Sequence, residues 1–194
     1  MQLFSHIFVF NGKEVHSRIN PSVMIKKTIF LTISLALVLL SSQAADLNNQ
    51  SHPQKKMWAK SVIGQKAPAI EVEGWVTEPG DLTGKYVLID IWATWCGPCR
   101  KGIPELNEWQ EKFEDKLVII GISNEPEEKV APYAKEHIKY ANGFDTQSRV
   151  KNELKVTGIP HIILINPEGI VIWEGFPKLP GEELTTEVLK ELIK

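Results

Sequence analysis

Residues 95–100 read Trp95-Cys96-Gly97-Pro98-Cys99-Arg100 and hold the only two cysteines among 194 residues. Two residues separate the sulfurs, a spacing that lets both meet at the first turn of a helix. An S–S bond can form and break there with little backbone movement. A helix start presents unpaired N–H groups and partial positive charge, which favour thiolate over thiol. Thiolate is the attacking species in disulfide exchange, so Cys96 is the expected nucleophile and Cys99 its resolving partner. The stretch therefore predicts a redox dithiol.

The residues on either side supply a strand and a helix. Tyr86-Val87-Leu88-Ile89-Asp90-Ile91-Trp92-Ala93 is an apolar, β-branched run of the kind buried on both faces of a sheet. Ile103, Leu106, Trp109 and Phe113 recur near helical spacing, which predicts a helix from Cys99 to about Phe113 with a kink at Pro104. Farther on, Leu117 to Ile122 is a second buried strand, and Glu125-Pro126-Glu127-Glu128 opens a helix running to about Ile138. Ser148 to Leu154 is a short helix, His161 to Ile165 a strand, and Asn166-Pro167-Glu168-Gly169 a tight turn into an antiparallel strand over Ile170–Glu174. A closing helix over Gly181–Lys194 turns Leu184, Val188, Leu189 and Leu192 inward. Upstream, the alternation of Ala69 to Glu73 predicts a short edge strand. This order calls for one α/β domain, a mixed sheet with helices on both faces.

Composition narrows the function. Hydrophobic residues make up 43% of the chain and the net charge is −2. Lys13, Arg18, Lys26 and Lys27 against Glu14 in the first 45 residues leave 18 basic and 23 acidic residues in the remainder. No basic face stands out, which argues against nucleic acid as a partner. Two cysteines are too few for a disulfide scaffold.

Met24-Ile25-Lys26-Lys27 followed by the apolar run Thr28 to Leu40 has the form of a secretory signal, with Ser42-Gln43-Ala44 placing cleavage after Ala44. The alternative is an uncleaved N-terminal anchor, the one way the chain would touch a membrane. Residues 1–23 are expected to be a misassigned extension, 24–44 the signal peptide, 45–61 a flexible leader and 62–194 the folded domain. Export to the periplasm follows as an expectation. A dithiol there tends to become oxidised, so a reductase needs a dedicated electron donor.

Val87 to Arg100, with its Trp92-Ala93-Thr94-Trp95 form, resembles the active-site strand and helix start of the thioredoxin superfamily. Together with the signal and the Gly64-Gln65-Lys66-Ala67-Pro68 entry, it resembles the exported TlpA/ResA-like thiol–disulfide oxidoreductases. Gly158-Ile159-Pro160, the apolar strand after it and the Asn166–Gly169 turn resemble the family's cis-proline segment and final hairpin. The resemblance covers about residues 62–194. It implies a thioredoxin-like sheet flanked by helices, protein disulfide and dithiol substrates, a membrane thiol as electron donor, and cytochrome c maturation as one family role. Pro160 is then cis, with Ile159 backbone beside the sulfurs and able to pair with an extended substrate. Trp95, Gly97 and Pro98 complete the substrate surface, although plain packing is an equal reading of Trp95. No cofactor beyond the Cys96–Cys99 disulfide is implied.

Two departures matter. His161 stands where the family usually has Thr, either near the sulfurs or facing away. Gly102 stands where several exported members carry Glu, so that acid's role does not transfer. Asp90, matching thioredoxin's buried aspartate, is left as the proton carrier for Cys99. Burial raises a carboxyl pKa, which suits that role. The alternative is a carboxylate satisfied by backbone groups or facing the sheet edge. An inert disulfide, a zinc site lacking two of its four ligands, a thiol peroxidase using Thr94, a thiol oxidant, and a non-enzymatic binding or chaperone module are the competing readings. Trp92, Trp109 and Trp173 are expected in the core, and His137 in solvent.

Overall fold

Apolar side chains on both sides of Tyr86–Trp92 make it the centre of the sheet. In the computed structural model, which describes residues 57–194 and the backbone of two short upstream strands, this is β4. Residues 1–54 and 55–194 cluster as separate units. In the first, β1 (Val9–Phe10) pairs antiparallel with β2 (Lys13–Glu14). The expected signal at 24–44 and the leader up to residue 56 lie outside the described residues, as does the rest of the first 23.

The second unit carries β3 (Gly74–Thr77), β4, α1 (Gly97–Lys112), β5 (Leu117–Ser123), α2 (Glu127–His137), β6 (Ala141–Phe144), α3 (Arg149–Glu153), β7 (His161–Ile165), β8 (Val171–Gly175) and α4 (Thr186–Leu192). Sheet order is β3-β6-β5-β4-β7-β8. The β4–β5 and β5–β6 pairs are parallel, while β3–β6, β4–β7 and β7–β8 are antiparallel. A mixed sheet with helices on both faces is what the order of elements called for.

Alternation along β4 divides the core. Leu88, with Ile119, Ile162 and Leu164, packs under Leu106 and Trp109 of α1 and under Leu184, Leu189 and Ile193 near the C-terminus. Val87, Ile89 and Ile91 face the other way, toward Val150, Leu154 and Val62. Each fully buried aliphatic side chain contributes roughly 1.5–3 kcal/mol by leaving water. Trp92 shares the first face and packs with Cys96, Cys99 and Ile103 of α1 and with Val130 and Ala134 of α2.

Four expectations change. Ala69–Glu73 forms no ladder; Ile70 and Val72 use their alternation to pack against the core, and pairing begins at Gly74, opposite Phe144. The four-residue β6 was not expected, because Ala141-Asn142-Gly143-Phe144 offers neither an apolar run nor clear alternation. α1 starts earlier, at Gly97, and continues through Pro104 to Lys112. α4 is shorter than the run Gly181–Lys194: the Thr185 hydroxyl accepts from the Val188 N–H at 3.3 Å and caps it. That phase leaves Val188 exposed, while Ile193 takes an inward place beside Leu189.

Candidate active site

The dithiol sits where β4 gives way to α1. Cys96 is the helix N-cap, in extended conformation, and its Sγ accepts the Cys99 backbone N–H at 3.2 Å. The two cysteines are joined as a disulfide with their Cα atoms 5.3 Å apart. Pro98 falls in the first turn, where a missing N–H costs nothing. No acidic residue occupies that turn, so nothing in it opposes the positive end of the helix. When the bond is reduced, the amide and the helix end both favour a Cys96 thiolate. Both cysteines are almost buried, whereas the neighbouring Trp95 is 68% exposed.

Asp90 lies two residues before Trp92, on the same side of β4 by alternation. It is 2% exposed. Its hydrogen bond among the described residues comes from the Tyr140 hydroxyl to Oδ2, at 3.5 Å. Burial pushes its pKa up from 3.8 to about 7, with the Tyr140 hydrogen bond working the other way. The reading of a carboxylate satisfied by backbone or facing the sheet edge does not hold, since β4 is central and the bond is to a side chain. No hydrogen bond joins Asp90 to either sulfur.

The Ile159–Pro160 peptide is cis. Ile159 is half-buried and packs in the cluster that contains Cys96 and Cys99. Trp95, Gly97, Pro98, Ile159 and the dithiol thus gather at one end of the sheet. His161 is opposite Ile91 in the antiparallel ladder and is 1% exposed. That register puts it on the Ile91 side, away from Asp90 and Trp92. His137 is exposed, its ring 4.4 Å from that of Tyr133. Trp92 and Trp109 are core residues, as expected; Trp173 is only half-buried.

Comparison with known proteins gives this arrangement its relatives. The pattern of the AhpC/TSA family matches residues 63–174. The chain belongs to that family. Within it, the chain is 31% identical over 175 residues to the thiol-disulfide oxidoreductase ResA of Bacillus cereus, covering 87% of this chain and 97% of that protein. It is 30% identical over 145 residues to a thiol:disulfide interchange protein DsbE homolog of Paracoccus denitrificans, covering 69% and 77%. The solved thioredoxin domain of a thiol-disulfide oxidoreductase from Bacteroides vulgatus superposes with a TM-score of 0.57 at 27% identity, covering 70% of this chain and all of that one. This AhpC/TSA member is a thiol–disulfide oxidoreductase with a thioredoxin-like fold.

Three groups at this site escaped the sequence. Glu125, expected to open a helix, precedes α2 and is nearly buried. Its carboxylate accepts the Thr94 N–H at 2.6 Å, the Thr94 hydroxyl at 2.8 Å and the Ser123 hydroxyl at 3.3 Å. It therefore clasps the loop two residues before Cys96. An acid two residues after Ser123, at the end of the strand beside β4, was the available signal. Tyr140 reaches Asp90 only because β6 lies two strands away, and β6 was not foreseen. Residues 58–61, assigned to the leader, are bonded to the domain. Lys60 N–H donates to the Leu154 carbonyl at 2.8 Å, and Thr157 N–H donates to the Trp58 carbonyl at 2.7 Å. The Trp58 ring lies so close to Gly158 that an added Cβ would stand 3.0 Å from it. The loop leading into Pro160 is thus backed by Trp58.

Proposed function

We propose that this oxidoreductase is exported and reduces protein disulfides. In its dithiol form, the Cys96 thiolate attacks one sulfur of a substrate disulfide, forming a mixed disulfide and releasing the other sulfur as thiolate. The Cys99 thiol passes its proton to the Asp90 carboxylate and attacks Cys96 Sγ. Reduced substrate leaves, and the Cys96–Cys99 disulfide holds the oxidising equivalents until a membrane thiol donor returns two electrons. Thioether-forming cysteines of c-type cytochrome maturation are one substrate class within this reading. The exposed indole of Trp95 and the backbone at Ile159 and Pro160 supply an apolar contact and an edge for an extended chain.

The observation that carries the reading is the seat of Cys96: an N-cap sulfur that accepts an amide hydrogen bond, bonded to a cysteine three residues on. A peroxidase reading needs a free Thr94 hydroxyl for peroxide. Here that hydroxyl is already donated to Glu125. The deciding measurement is the equilibrium of the Cys96–Cys99 pair with glutathione, alongside mixed-disulfide trapping by Cys99→Ala. A potential closer to about −270 mV than to about −120 mV is expected for a reductase, and a value at the oxidising end would overturn it.

A further inference from the structure

Asp90 pairs with Gly121 across the β4–β5 ladder, and Gly121 pairs with Asn142 across β5–β6. Three adjacent strands thus present Asp, Gly and Asn in one row on one face. The middle position has no side chain, and its neighbours lean over it. A Cβ on Gly121 would overlap the Asn142 amide nitrogen, stand 3.0 Å from Trp92 Nε1 and 3.2 Å from Tyr140 Cε2. Asn142, Trp92 and Tyr140 are each at most 2% exposed. Among the described residues, the Asn142 amide and the Trp92 indole nitrogen have no hydrogen-bond partner, whereas the Tyr140 hydroxyl is directed at Asp90. Buried polar groups left unpaired are uncommon and call for a reason. Here they line the gap at Gly121, the position next in register to Asp90.

We propose that Tyr140 is the positioning residue of the proton carrier: the gap at Gly121 admits its ring, its hydroxyl holds Oδ2, and Asp90's readiness to take the Cys99 proton is set there. The inference rests on Asp90 as proton carrier. A hydroxyl donated to an ionised carboxylate stabilises the charge and opposes burial. Without it, Asp90 keeps its proton at neutral pH and has no room for the one from Cys99. The other elements against this pair leave Tyr140 in control. β5 offers Gly121 and β7 offers Ile162 opposite Asp90. On α1 the titratable group in the adjoining cluster is Cys99, and on α2 Tyr133 acts on Tyr140 rather than on Asp90.

Tyr140→Phe keeps the ring and removes the donor. In the oxidised protein, where neither cysteine titrates, carboxyl carbon NMR should show the Asp90 midpoint rising by about one pH unit. The pH profile of mixed-disulfide resolution should move with it, slowing the step about fivefold at pH 7, as a one-unit shift from about 7 requires. A fluorinated tyrosine at position 140, of nearly the same shape and a stronger donor, should move the midpoint down. An Asp90 midpoint unmoved by either change overturns the proposal, and so does a moved midpoint with an unmoved resolution profile. Asp90→Asn separates the two ideas. Unimpaired resolution in that variant sinks the proton-carrier reading, while the NMR titration still reports whether Tyr140 holds Asp90.

Discussion

A carboxyl group held in the core should make this protein less stable as pH rises, and Asp90→Asn should remove that dependence. Asp90 titrates near 3.8 when unfolded and at about 7 when folded. Folding therefore favours its protonated form. The stability this group contributes is complete below pH 4 and drains away as pH climbs toward 7. The gap of about three units, at 1.36 kcal/mol each, amounts to roughly 4 kcal/mol. That is a large fraction of the 5–15 kcal/mol typical of a domain. Asn is nearly isosteric and never ionises, so its own packing cost is the same at every pH. Urea unfolding of the oxidised protein at several values between pH 4 and pH 8, wild type beside Asp90→Asn, isolates the effect. The variant should gain on wild type by roughly 4 kcal/mol across that interval. A difference constant to within about 1 kcal/mol would mean that Asp90 is not desolvated as described.

Two further perturbations test the walls of the site. Glu125→Gln leaves one acceptor oxygen where the carboxylate serves Thr94 and Ser123 with two. A loss of about 1–3 kcal/mol in urea unfolding at pH 7 is expected, and an unchanged midpoint would show that the clasp does not hold the loop. Trp95→Ser removes an exposed side chain, so stability should stay within about 0.5 kcal/mol. KM for protein disulfides should rise several-fold while reduction of a small aromatic disulfide is unaffected; equal losses on both substrates would place Trp95 in the chemistry instead.

What the sequence revealed, and what it concealed, follows from the range of the interactions. Local periodicity exposed β4, β5 and the hairpin of β7 and β8, because apolar runs must be buried wherever the chain goes. The cysteine spacing exposed the site for the same reason: two sulfurs three positions apart meet within one turn of helix. Asn142 and Gly143 hid β6, since a short strand held by neighbours on both sides needs little propensity of its own. With β6 hidden, Tyr140 had no route to Asp90, 50 positions earlier in the chain. Glu125 was misread because an acid before a helix has an ordinary explanation, and only the register of β5 beside β4 sets it against Thr94. Val188 faces outward because the Thr185 cap fixes the phase of α4, a detail that apolar spacing alone does not carry.

The buried carboxylate of Glu174 on β8 gives the segment behind Trp58 a practical meaning. It accepts the Ser61 hydroxyl and, at 2.8 Å, the Val62 N–H, both from residues upstream of the stretch matching the family. A chain trimmed to begin at residue 63 would keep every strand and helix of the six-stranded unit. It would nevertheless strand an acid in the core without those donors and strip the cover from Gly158. A domain cut from this chain should therefore begin ahead of the AhpC/TSA match, at the tryptophan lying under the cis-proline loop.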